Sequence, residues 1–249
     1  MNEKDKQEYL DYIFSRKSSN KRNFYKESLK EIECFKKEHP DCSPSIVLHV
    51  CCIVCACWPI DFLKENGFDV TIMYNNSNIW PKEEHDHRLN ELKRYLKERW
   101  HDEIPLIVEP YDYDTYASTI LKNRSNDPEG WKSCFGCYAE RMNHAFAYAN
   151  TNHFDYFTTV MTFSRQKDSQ KINEIGLNLQ KQYDHTKYFV SDFKKANGAL
   201  KSEKICDDYC LYRQDYCGCE TSYKERHPKE SSKRCIKSVQ NTHKYGIIS

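Results

Sequence analysis

Ser45–Pro59 reads SIVLHVCCIVCACWP. Ile46, Val47, Leu48 and Val50 form a short, mostly β-branched apolar run, the pattern of a buried strand. It meets Cys51 and Cys52, with Cys55 and Cys57 close behind. An open α/β sheet presents its reactive groups at the carboxyl ends of its strands. An apolar strand that ends in thiols is therefore expected to deliver them to that edge.

Downstream, apolar strands alternate with amphipathic helices. The pattern predicts strands at Ile46–Val50, Asp69–Tyr74, Leu106–Glu109, Phe157–Thr162 and Tyr188–Val190. It predicts helices at Trp58–Glu65, Pro81–Arg99, Tyr113–Lys122, Cys134–Asn150 and Ser169–Gln182, with a loop at Ser125–Gly130. Asn66-Gly67 is a helix stop, and Pro81 with Glu83 and Glu84 is a helix start. Strand–helix alternation implies right-handed crossovers and a mostly parallel, Rossmann-like α/β sheet flanked by helices. Upstream, Asp5–Phe35 is charged and helical in pattern. Tyr9, Leu10, Ile13 and Phe14 form one apolar patch, Ser19-Asn20 a break, and Leu29, Ile32 and Phe35 a second stripe. Three parts follow: an N-terminal helical extension (1–44), an α/β catalytic domain (45–219) and a basic C-terminal tail (220–249).

Of 249 residues, 13 are cysteine, 18 tyrosine and only 7 glycine, and the formal net charge is +1. That charge is too near zero to announce a nucleic-acid binder. No apolar run is long enough for a bilayer, and the first residues, MNEKDKQEYL, carry no export signal, so a cytoplasmic, reducing location is expected. Thirteen cysteines there point to metal or redox chemistry, and an odd number opposes a fully paired disulfide framework.

Three cysteine groups stand apart: Cys51-Cys52, Cys134-x-x-Cys137 and Cys217-Gly218-Cys219. Residues three apart at a helix start share a face, so Cys134 and Cys137 can reach one metal, and the helix N-terminus favours their thiolates. Adjacent residues of a continuing strand point to opposite faces, so Cys51 and Cys52 converge only if the chain bends there. Two separated pairs of thiolates suit a tetrahedral zinc or a four-iron cluster, and an adjacent Cys-Cys pair tilts the balance to the cluster. A disulfide between Cys217 and Cys219 closes a tight, readily reduced ring, which suits electron relay; the alternative is a second metal held by the same thiols. Cys34, Cys42 and Cys235, and with them Cys57, Cys206 and Cys210, read as small buried hydrophobes. Cys55 remains open as a spare ligand.

The segments LHVCCIVCACWPIDFLKENGFDV, YNNSNIWPKEEHDHRLNELKRY, CFGCYAERM, DYFTTVMTFS with KINEIG, and LYRQDYCGC occur in this order. Together they resemble the QueH-type epoxyqueuosine reductases over Ile46 to Cys219. The resemblance implies a HUP-type Rossmann-like fold and reduction of epoxyqueuosine in tRNA to queuosine, the last step of that modification. It implies a 4Fe-4S cluster on Cys51, Cys52, Cys134 and Cys137, with Cys217 and Cys219 as a redox-active pair or as part of a second, mononuclear metal site (iron). It also implies an electron donor, which the sequence does not identify, and no membrane. The chain departs from the family pattern where Cys-Cys-Ala-Pro-Cys becomes Cys51-Cys52-Ile53-Val54-Cys55, and where Arg165 replaces a proline after Ser164. Both departures touch loop shape rather than the ligand set.

Reducing an epoxide to an alkene takes two electrons and a proton for the leaving oxygen, and Tyr138, Glu140 and Asp61 are the candidate acids. Tyr74, Asn75, Asn78 and Arg88 follow the second strand, where a crevice would receive the base. Lys224, Arg226, Lys229, Lys233, Arg234 and Lys237 of the tail are candidates for phosphate contacts. A zinc-stabilised tRNA-binding module without catalysis is the alternative. An ATP-pyrophosphatase-type thiolase is disfavoured because no glycine-rich phosphate loop follows the first strand. A radical S-adenosylmethionine enzyme is disfavoured because Trp58 stands where its third cysteine would.

Overall fold

The computed structural model describes residues 22–122, 130 and 132–228. Its centre is a five-stranded sheet: β1 (Ser45–His49), β2 (Asp69–Tyr74), β3 (Leu106–Val108), β4 (Tyr156–Thr159) and β5 (Lys187–Tyr188). The spatial order is β3-β2-β1-β4-β5 and every pairing is parallel. The helices are α1 (Phe24–Glu38), α2 (Ile53–Glu65), α3 (Lys82–Trp100), α4 (Tyr113–Thr119), α5 (Lys132–Thr151), α6 (Ser169–Leu179), α7 (Gly198–Asp208) and α8 (Glu220–Arg226).

Side chains along β1 alternate between two cores, as a period of two requires. Ile46 and Leu48 pack with Ile60 and Leu63 of α2 and Leu92 and Leu96 of α3. Val47 packs on the other side with Met142 and Phe146 of α5 and Ile172 and Ile175 of α6. Both faces are thus covered, which is why β1 reads as an unbroken apolar run. Ile32 of α1 joins the first core, and Phe35 meets Tyr156 of β4 edge-on at 6.1 Å.

The strand order reverses at β1: β2 and β3 lie to one side, β4 and β5 to the other. Such a switch point opens a crevice at the carboxyl ends of the two central strands. Cys51 and Cys52 follow β1 into it, and the Val160–Phe163 3-10 turn and the Ser164–Lys167 loop follow β4.

Several boundaries differ from the sequence expectation. Helix α2 begins at Ile53 rather than Trp58, with extended Cys52 as its N-cap. The fourth strand ends at Thr159, where the 3-10 turn starts, and β5 covers Lys187–Tyr188 rather than Tyr188–Val190. Helices α7 and α8 were not expected; α8 occupies the first residues of the proposed tail. The Tyr9–Phe14 patch, the Ser19-Asn20 break, residues 125–129 of the expected loop, Cys235 and the cations from Lys229 onward lie outside the described residues.

Candidate active site

The bend that Cys51 and Cys52 require is the β1-to-α2 junction. Cys52 keeps an extended backbone (φ −165°, ψ 152°) and helix begins at the next residue. Cys51, Cys52 and Cys55 therefore come within hydrogen-bonding reach of one another, although neighbours in a straight strand would diverge. Hydrogen bonds from Cys52 and Cys55 hold the Cys51 thiol well below its ordinary range. The hydrogen bond with Cys51, aided by burial, pushes Cys52 up to about 12, and hydrogen bonds with Cys51 and Cys52 raise Cys55. Gln214 donates to Cys52 Sγ at 2.8 Å.

Cys134 and Cys137 are buried in the first turns of α5. The Gly130 amide lies 3.3 Å from Cys134 Sγ, and the Tyr116 hydroxyl donates to Cys137 Sγ at 3.5 Å. Burial raises the Cys137 thiol, against the lowering expected at a helix start, although Arg141 and the Tyr116 hydrogen bond pull the other way.

The third group is anchored through its backbone. Arg88, 1% exposed, pairs with Glu84 at 2.8 Å and donates to the carbonyls of Cys217 (3.2 Å) and Tyr216 (3.3 Å). The Trp80 amide donates to the Gly218 carbonyl at 2.7 Å. Gly218 has φ +134°, and a Cβ there would meet Ile79 Cγ1 at 3.2 Å and Arg88 Nη1 at 3.3 Å, so only glycine fits. Cys219 N-caps α8, its sulfur accepting from the Ser222 amide at 3.4 Å.

Two cations, buried Arg141 and half-buried Lys167, join the groups. Asn76 donates to the Val50 carbonyl at 2.8 Å and accepts from Arg141 at 3.2 Å, which ties α5 to the end of β1. Arg141 stays charged against the cost of burial because Cys137, Cys51 and Cys217 surround it. Lys167 is likewise held charged against burial by Cys217, Tyr138, Cys51 and Cys55. Its ammonium lies 5.8 Å from the Tyr138 ring centre. Cys219 in turn feels Cys217 and Cys134. All three sequence-predicted cysteine groups thus share one electrostatic neighbourhood, with Cys55 as an additional member.

A cavity of about 340 Å³ opens here, lined by Cys51, Cys52, Cys55, Lys167, Gln214 and Cys217 among others. A second, of about 290 Å³, lies among the β2–α3 loop, the β3–α4 segment, α4 and α5. Asn75, Asn78, Glu140 and Arg141 line it. The Oδ1 atoms of Asn75 and Asn78 and Nε of Arg141 are buried there and make no hydrogen bond within the protein.

The donor set suits an anionic metal–thiolate group: many soft sulfur donors, with the buried Arg141 guanidinium and the half-buried Lys167 ammonium to balance its charge. Among the described residues, no group of three or more His, Cys, Asp or Glu side chains is arranged to hold a single metal ion. A four-iron cube instead takes one thiolate at each of four separated irons, so its ligands need not share a point.

A protein-family model described as epoxyqueuosine reductase QueH matches residues 46–225. The chain belongs to the QueH family. A QueH protein named epoxyqueuosine reductase from Streptococcus pyogenes is 36% identical over 179 residues, 71% of this chain and 69% of that one. One of the same name from Staphylococcus aureus is 33% identical over 211 residues, 83% of this chain and 86% of that one. A third, from Thermotoga maritima, is 25% identical over 191 residues, 75% of this chain and 94% of that one. The QueH match begins one residue into β1 and ends inside α8, so it spans all three cysteine groups.

Some expected site residues of this QueH chain lie elsewhere. Asp61 is paired with Arg99 at 2.5 Å, between α2 and α3, and does not reach the thiols; it is withdrawn as a proton donor. The Tyr74 hydroxyl donates to the His85 carbonyl, and Arg88 is committed to the Cys217 loop, so neither lines the second cavity. Cys34, Cys42 and Cys210 are exposed rather than buried, whereas Cys57 and Cys206 are buried as expected. Lys167 and Arg141 were not foreseen. Arg141 lies inside CFGCYAERM and Lys167 just beyond DYFTTVMTFS, and only their place against the thiols marks them. No helix among the described residues is long and apolar enough to cross a membrane.

Proposed function

We propose that this chain reduces the epoxide of epoxyqueuosine in tRNA to the alkene of queuosine, as an iron–sulfur oxidoreductase. The observation that carries the reading is the family match through all three cysteine groups, which gather about Arg141 and Lys167. Cys51, Cys52, Cys134 and Cys137 would hold a 4Fe-4S cluster. Such a cluster supplies electrons one at a time at low potential. The balance is an epoxide, two electrons and two protons giving an alkene and water.

The chain's own residues have definable parts. Lys167 and Tyr138 present N–H and O–H donors beside Cys51 and Cys217, where charge on a departing oxygen would be stabilised. Glu140 remains a candidate acid from the second cavity. Cys217 and Cys219, on a loop fixed by Arg88 and Trp80, would serve electron relay or hold a further metal. Buried, unpaired acceptors on Asn75 and Asn78 suit the N–H edge of a base, because an unmet acceptor in such a place costs about 1–3 kcal/mol. The base must then leave its stack in the tRNA loop, as single-stranded recognition permits. The zinc-stabilised module gains no support from the described residues, where no group of three His, Cys, Asp or Glu side chains is arranged for one ion.

Anaerobic reconstitution with iron and sulfide, followed by an electron paramagnetic resonance spectrum of the reduced protein, tests the cluster. Cys134→Ala is expected to lose iron, the spectrum and turnover of epoxyqueuosine tRNA together. Full iron content and full turnover in that variant would remove the cluster assignment.

A further inference from the structure

Cys57 and Cys206 belong to none of the three cysteine groups, yet their sulfurs lie 4.0 Å apart. They come from positions 149 residues apart in sequence, on α2 and α7. The cause is an unusual helix face. Gly198, Ser202 and Cys206 follow one another at intervals of four along α7, so small side chains form its buried stripe. A Cβ on Gly198 would fall 1.9 Å from the Phe193 carbonyl oxygen and 2.8 Å from Trp58 Nε1. Ser202 donates to the Val54 carbonyl of α2 at 3.0 Å and lies 3.2 Å from Cys57 Sγ. Small residues let the two helices approach closely, and the close approach brings the two thiols into contact.

Contact alone describes many buried cysteine pairs. Two further observations separate this one. Cys206 and Ser202 line the 340 Å³ cavity, so a small molecule entering it meets the Cys206 side. The Cys206 thiol is also lowered to about 7, chiefly by the hydrogen bond from Cys57 and also by Ser202 and Arg213. Cys57 is moved the other way by the same contact, so one member is set to ionise and the other to keep its proton.

We propose that Cys57 and Cys206 form a thiol–disulfide exchange site, distinct from the three cysteine groups, that takes a small disulfide of the glutathione type through the cavity. The Cys206 thiolate attacks one sulfur of the small disulfide. That S–S bond breaks, and one thiolate leaves and takes up the proton Cys206 gave to solvent. Cys57 then loses its proton and attacks Cys206 Sγ in the mixed disulfide, and the second small thiol departs with that proton. Two cysteine thiols are oxidised and one small disulfide is reduced to two thiols. The product bond ties α2 to α7, whose side chains form one wall of the cavity. A disulfide needs its sulfurs about 2.05 Å apart, so the pair must close by side-chain rotation from its present contact.

The test uses the full chain, incubated anaerobically with oxidised glutathione, alkylated with iodoacetamide and mapped by peptide mass spectrometry. Exposed Cys34 and Cys42 serve as internal standards for reagent access. The expected wild-type product is a Cys57–Cys206 cross-linked peptide, formed at least tenfold faster than any cross-link involving Cys34 or Cys42. Cys57→Ser is expected to stop at a glutathione adduct on Cys206. Glutathione on Cys34 and Cys42 with both Cys57 and Cys206 recovered as unmodified thiols would overturn the proposal. So would an adduct on Cys206 that wild-type protein never resolves.

Discussion

Cys206 and Cys57 show how one contact divides two identical side chains. The thiolate is the nucleophile of cysteine chemistry, so reactivity follows the thiolate fraction. With Cys206 lowered to about 7 by a hydrogen bond from Cys57, its alkylation rate should rise with pH and reach half its plateau near pH 7. The sign follows from the acid: a depressed value means the reactive form is present above that pH and is lost below it. Cys57→Ala removes the leading cause, so the midpoint should move up toward the ordinary value of 9.0. Rates of iodoacetamide labelling at Cys206 across pH 5–10, read by mass spectrometry, measure it; an unmoved midpoint would assign the lowering to Arg213 and Ser202 instead. Neither cysteine was marked out in the sequence, where both read as small buried hydrophobes. That reading was right about burial and blind to pairing, because a contact across 149 positions leaves no local pattern. Lys167 and Arg141 were hidden for a related reason. A charged residue is ordinarily a surface residue, and the cysteines around these two favour their charged forms against desolvation.

Among the elements, the sequence displayed what apolar periodicity can display. The β1 run and the stripe Met142, Ala145, Phe146 and Ala149 on α5 are buried as the spacing required. Helix α7 was missed because its buried face is Gly198, Ser202 and Cys206, a stripe of small residues with no apolar period. Helix α2 was entered late because Cys52 supplies no side-chain cap and Ile53-Val54 favours strand. The close packing of α7 on α2 is open to direct test. Gly198→Ala places a methyl against the Phe193 carbonyl and the Trp58 indole, neither of which is a flexible side-chain end. Overpacking of this kind typically costs 1–3 kcal/mol, so an unfolding free energy lower by about 2 kcal/mol is expected in urea titrations. If α7 moves away to relieve the clash, the Cys57–Cys206 cross-link should slow in the same variant. Unchanged stability would mean that the helix start relaxes freely and that close approach is not enforced by Gly198.

For the molecule as a whole, a parallel sheet reversing at β1 brings cysteines from three distant parts of the chain to one edge. Strand–helix alternation made that architecture legible. The segments beyond it are less so, and the basic C-terminal tail is the most consequential of them. Its first part is structured: Lys224 pairs with Glu220 at 2.7 Å within α8, and His227 reaches Asp215 at 3.1 Å. Lys229, Lys233, Arg234 and Lys237 follow, in a chain whose net charge is only +1. If these four meet tRNA phosphates, they release counterions on binding, and each contact steepens the dependence of log K on log salt by about 0.7 for a single-stranded segment. Ending the chain after Pro228 keeps α8 and its ion pairs and removes these four cations together with Lys244 and Glu230. Affinity for tRNA should then weaken at low salt, and the slope should become shallower by about 2–3 if most of the four are engaged. Fluorescence anisotropy of labelled tRNA across a salt series gives both slopes. Parallel lines for the full and shortened chains would place every phosphate contact on the folded part, and the tail would then be a solvated end with no share in binding.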